Sequence, residues 1–181
     1  MAGRACKSRS WLHRFGADRG GATAVEFAFV AGPFLALIFG ILELGMVFMA
    51  STTLDNATET VARQIRTGQF QSSGSNNVTA FKAAVCGQMT WLRSECATKL
   101  YVNVKTFPKF AQVTLEPPRD ETELKAEPFT TGGPEDIVVV RTYFEWSLIT
   151  PLMNQGLVSI GAGKRLISST ATFRNEPYNF S

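Results

Sequence analysis

From Ala24 to Ala50 the chain is almost wholly apolar, with Glu26 and Glu43 as its only ionisable side chains. A helix rises about 1.5 Å per residue, so ~20 residues cross a hydrocarbon core of ~30 Å, and this run has length to spare. Beyond Ala50 the surroundings turn polar, yet Leu54, Ala57, Val61 and Ile65 keep the helical spacing as far as Gly68, a residue suited to a helix C-cap. The pattern predicts one helix from Ala22 to Thr67, crossing a membrane over residues 22–50 and emerging over 51–68. Pro33 removes a donor and should loosen this helix near Phe29.

The periodicity then changes. Gln69–Asn76 is rich in Ser, Gly and Asn, and reads as a loop. Asn77 is placed to cap a helix carrying Phe81, Val85 and Met89 on one face. Three β-rich runs follow, Leu100–Phe107, Asp136–Leu148 and Arg165–Phe173, and they predict an antiparallel sheet. Glu116–Pro134, with its prolines and Asp120, Glu121, Glu123 and Glu127, reads as an exposed loop. The expected fold class is α+β, a long transmembrane helix leading into a small domain over residues 69–181.

Charge changes this picture in one respect. The formal net charge is +3, but residues 1–21 hold Arg4, Lys7, Arg9, Arg14 and Arg19 against Asp18, so residues 22–181 carry 13 basic against 14 acidic side chains, or −1. The basic footprint that nucleic-acid binding needs is absent from the domain. The positive residues instead form a leader, and by the positive-inside bias they place the N-terminus in the cytoplasm of a single-pass inner-membrane protein. The domain then faces the periplasm, where Cys86 and Cys96 are expected to form a disulfide. In an unbroken helix the two would lie about 15 Å apart, whereas a disulfide needs Cα atoms within ~7 Å. Two short helices, 77–86 and 88–94, are therefore expected.

Catalytic options are few. The single histidine, His13, lies in the leader, and the third cysteine, Cys6, lies there too. Nucleophile–base pairs built on histidine are excluded from the domain, a zinc site lacks its usual ligands, and no Gly-rich phosphate loop occurs. No enzyme activity, metal or cofactor is expected.

Glu26 stands near the start of a membrane helix, where desolvation is costly and a positive partner is expected. A cut between Gly21 and Ala22 would supply one, because the new amino group lies four residues before Glu26, on the same helical face. Ala24, Ala28, Gly32, Ala36 and Gly40 recur every four residues, a small-residue ridge along which another helix can approach.

Gly21, four residues and then Glu26-Phe27 before an apolar helix resembles the type IV prepilin processing motif, with Phe27 in place of the more usual Tyr. The stretch Arg19-Gly20-Gly21-Ala22-Thr23-Ala24-Val25-Glu26-Phe27-Ala28, then Gly32-Pro33 and Leu42-Glu43-Leu44-Gly45, is similar to the TadE-like pseudopilins of the tight-adherence (Flp pilus) system. The ending Phe173-Arg174-Asn175-Glu176-Pro177-Tyr178 is similar to tails in that family. The resemblance implies removal of the leader by a prepilin peptidase and a minor pilin needed for pilus biogenesis. Its partners would be that peptidase, other Flp/Tad pilins and pseudopilins, the inner-membrane assembly platform and membrane lipid. The competing reading is an uncleaved, signal-anchored periplasmic domain for binding or adhesion.

Overall fold

The computed structural model describes residues 21–74, 76–113, 118, 120–149 and 164–178, so the leader before Gly21 lies outside the described residues. The chain divides into two units, residues 1–42 and 43–181. Helix α1, Ala22–Arg66, belongs to both.

In the first unit α1 is exposed along almost all its length, including Phe27, Phe29, Phe34 and Phe39. It is long and apolar enough to cross a membrane. A core helix of a soluble protein would bury such side chains, since each fully buried Phe or Leu gains ~1.5–3 kcal/mol. Pro33 lies inside the helix, which is assigned as one element through it.

In the second unit α1 becomes one-sided. Val47, Ala50, Leu54, Ala57, Val61 and Ile65 are buried at spacings of three or four, the stripe of an amphipathic helix. They share one core with the sheet residues Val102, Val104, Val138, Val140, Phe144 and Ile167. Leu54 is wholly inaccessible, and truncating such a residue to Ala costs ~2–5 kcal/mol.

Helix α1 ends where expected. Gly68 adopts φ +76°, the left-handed turn that closes a helix, and its N–H donates to the Ile65 carbonyl at 3.0 Å. A four-residue helix α2 (Gln69–Ser72) follows, then α3 (Val78–Gln88), whose first turn is capped by the Asn77 side chain accepting from Ala80 N–H at 2.9 Å.

The sequence placed the break between the cysteines at Gly87; it falls instead at Met89. Helix α3 runs through Gly87, Met89 N–H closes on the Val85 carbonyl, and a 3-10 turn (Thr90–Leu92) leads into α4 (Arg93–Lys99). The turn brings Cys86 and Cys96 to a Cα separation of 5.6 Å, joined by a disulfide. Closing a loop of this size stabilises a domain by ~2–4 kcal/mol.

The sheet is three-stranded and antiparallel in the order β1 (Leu100–Phe107), β2 (Ile137–Ser147), β3 (Lys164–Arg174). The register pairs Val104 with Val140 and Val140 with Ala171. On the face toward α1, Thr58 and Thr142 are fully buried and share a hydroxyl hydrogen bond of 2.6 Å.

Residues 120–134 are more than the exposed loop expected of them. Within them α5 (Glu121–Lys125), capped by Asp120, buries Leu124. Pro128 and Thr130 then bond the backbone of Val104 at 2.7 and 2.9 Å, adding a short parallel bridge to the outer edge of β1. Phe129 stacks on Phe70 and Phe81, with ring centroids 6.1 and 5.9 Å away. Proline and acidic composition signalled a loop, but the buried Leu124 and the partly buried Phe129 were enough to dock the segment.

Candidate functional site

The residues singled out for processing lie together at the start of α1. Gly21 and Thr23 are exposed, Ala22 opens the helix, and Glu26 and Phe27 project from its first two turns, Phe27 being 74% exposed. Among the described residues Glu26 has no hydrogen-bond or ion-pair partner.

The small-residue ridge is not one face. At 3.6 residues per turn each step of four advances ~40°, so the row turns by roughly 160° between its ends. Ala24, Ala28 and Gly32 are exposed, Ala36 is partly covered and Gly40 is buried. A Cβ added at Gly32 would meet nothing within 4 Å, so the outer three positions offer an open approach to a second helix.

Glu43, 17 residues past Glu26 on α1, is 1% exposed, and its Oε1 accepts the Ile149 N–H at 2.6 Å. It therefore ties the chain leaving β2 to α1. A charge inside an apolar run does signal a partner, but the sequence carries no pointer to a backbone amide 106 residues away.

The other end of α1 is held by the C-terminal tail. Glu176 N–H donates to the Arg66 carbonyl at 2.9 Å, satisfying an acceptor left open at the helix end, and its carboxylate meets Arg66 Nε at 3.4 Å. Asn175 is buried, and its amide donates to the carbonyls of Thr131 and Gly133 at 3.0 and 2.8 Å. Tyr178 Oη accepts from Gln71 Nε2 at 2.9 Å. Burial, and after it the negative charge of Asp136, raises the Tyr178 phenol above its ordinary value. Arg174 does not pair with Glu176; it reaches back to Glu135, bonding the carbonyl at 2.8 Å.

Within the domain Glu127 holds a left-handed backbone, φ +40°, while its carboxylate accepts from Val102 N–H at 3.0 Å and pairs with Lys82. This is a structural clamp. Among the described residues no three His, Cys, Asp or Glu side chains gather as metal ligands would.

No curated protein and no solved structure matches the chain. The family model for TadE-like proteins matches residues 21–63, beginning at Gly21 itself and covering Glu26, the apolar run and most of the emerging helix. Over its long N-terminal helix, residues 21–63, this chain is similar to TadE-like proteins.

Proposed function

We propose that the chain is a minor pilin, or pseudopilin, that acts in assembly of Flp (tight-adherence) pili after a prepilin peptidase cuts between Gly21 and Ala22. The exposed Glu26 at the head of an apolar helix is the observation that carries this reading. A carboxylate there has no solvent in a bilayer, and an Ala22 ammonium, on its own chain or a neighbour's, would neutralise it. Side-on packing along Ala24, Ala28 and Gly32 would bring the neighbour's helix close enough.

The protein would be inserted with its leader in the cytoplasm and its domain in the periplasm, cleaved, and recruited at the inner-membrane platform with other pilins. Its role is structural, and no turnover is involved. The test is the intact mass of the membrane-extracted protein from cells with and without the peptidase. A peptidase-dependent loss of residues 1–21 supports the reading, and Gly21→Arg should abolish that loss. Full-length mass in both strains would favour an uncleaved signal-anchored domain. Glu26→Ala should insert and be cleaved yet fail to support piliation; normal pili would refute the charge pairing.

A further inference from the structure

The second unit carries a groove of about 510 Å³ between α1 and the start of β3. Leu44, Val47 and Phe48 line it from α1, and Arg165, Leu166 and Ile167 from β3. Its volume falls within the ~300–1,000 Å³ of sites that take small organic ligands.

Its position follows from the sequence. Residues 44–51 are the last two turns of α1 before the apolar run gives way to Ser51, Thr52 and Thr53, so the groove sits where hydrocarbon meets headgroups. Other side chains mark the same level. Phe48 is 72% exposed, and Trp91, also exposed, donates its indole N–H to Thr53 Oγ1 at 3.2 Å. Trp146 packs edge-on against Trp91 at 6.2 Å. Paired indoles at this level form the amphipathic belt typical of a membrane interface.

The charge at the groove is Arg165, the register partner of Trp146. Its neighbour Lys164 is already paired with Glu145 at 3.1 Å, and among the described residues Arg165 meets no carboxylate. We infer that the groove holds an anionic phospholipid of the membrane that α1 spans, its acyl chain along Leu44, Val47 and Phe48 and its phosphate on Arg165. A guanidinium matches phosphate oxygens in a bidentate fork, and its aliphatic stem lies well along apolar surface. A second copy's helix fits less well. The apolar run offers only two carboxylates; Glu43 is buried in its own domain, and Glu26 is 17 residues away, so a parallel copy at equal depth brings no charge to Arg165.

The inference rests on α1 spanning a membrane, and the experiment separates the two. The full-length protein is placed in nanodiscs of phosphatidylethanolamine with a minor fraction of phosphatidylglycerol, and retained lipids are counted by native mass spectrometry. The wild type should keep phosphatidylglycerol in preference to phosphatidylethanolamine. Arg165→Gln should lower that retention about fivefold, the scale of one cation at an anionic surface, with Arg165→Lys keeping most of it. Arg174→Gln, at the far end of β3, should change nothing. Failure to enter discs would overturn the membrane-spanning reading along with the site. Entry with equal retention of both lipids, equal losses in the two glutamine variants, or a lipid-free dimer would overturn the lipid site alone.

Discussion

The ring of Tyr178 lies over the backbone of Gly68, so closely that a Cβ at Gly68 would stand 2.7 Å from the ring's Cγ. The helix that enters the domain and the tail that leaves the last strand thus meet at one residue. Gly68 also holds φ +76°, a conformation that L side chains rarely adopt. Gly68→Ala therefore carries two penalties, and we expect a loss of ~2–4 kcal/mol in urea unfolding of the detergent-solubilised protein. In a Tyr178→Ala background the clash is gone, and only the backbone cost of ~1 kcal/mol should remain. Gly87 supplies the contrast. It lies inside α3 with nothing within 4 Å of an added Cβ, so Gly87→Ala should stabilise by ~0.5–1 kcal/mol.

Thr58 and Thr142 are the polar pair at the centre of the contact between α1 and the sheet, each inaccessible to solvent. Replacing one leaves the other hydroxyl buried without this partner. Thr142→Val should cost ~1–3 kcal/mol, whereas Thr58→Val with Thr142→Val should recover most of it, since two apolar groups of similar shape leave nothing unpaired. A double-mutant cycle on thermal unfolding measures this. Simple additivity of the two single losses would show that the hydrogen bond contributes little.

Much of this architecture is written locally. The strands Leu100–Phe107, Ile137–Ser147 and Lys164–Arg174 are runs of β-branched and aromatic residues, and their bounds fall within a residue of the sequence reading. Helix α1 carries its own signals too, an apolar run, a continuing stripe and a terminal glycine. What is not local was not legible. Phe129 docks residues 120–134 through Phe70 and Phe81, partners far away in the chain, and Glu43 bonds an amide beyond β2. The small-residue row, spaced by four, is an inclined ridge whose burial changes along its length, from exposed Ala24 to buried Gly40.

Several protons are held by the fold. Burial, then the Glu145 charge, raises the Tyr101 phenol, burial raises Tyr178, and the hydrogen bond to Glu145 raises the Lys164 ammonium. In each case the native state keeps a proton that the unfolded chain has begun to lose. Their contribution is thus complete below about pH 10 and falls as pH rises through the native values. Melting temperature should drop across this alkaline range, in step with a delayed rise of phenolate absorbance. Tyr101→Phe should flatten part of that drop. Glu121, held below its ordinary range by Lys125, acts at the other limit, its contribution present above about pH 4 and lost as pH falls through the native value.

Glu43 makes the sharpest demand on the fold, because a carboxylate 1% exposed within an apolar helix carries a desolvation cost that only its partners offset. Its bond to the Ile149 amide, two residues past β2, fixes the chain leaving that strand against α1. Glu43→Gln keeps an acceptor for that amide and should be tolerated, with a loss of about 1 kcal/mol or less. Glu43→Leu is the more apolar change and would be favoured if membrane insertion alone mattered. It removes the acceptor, however, and should destabilise the domain by ~1–3 kcal/mol while insertion is unimpaired. Hydrogen exchange at the Ile149 amide in detergent reads this directly: slow in wild type and Glu43→Gln, fast in Glu43→Leu. Equal protection in all three would mean that apolar packing, and not the carboxylate, holds the chain leaving β2.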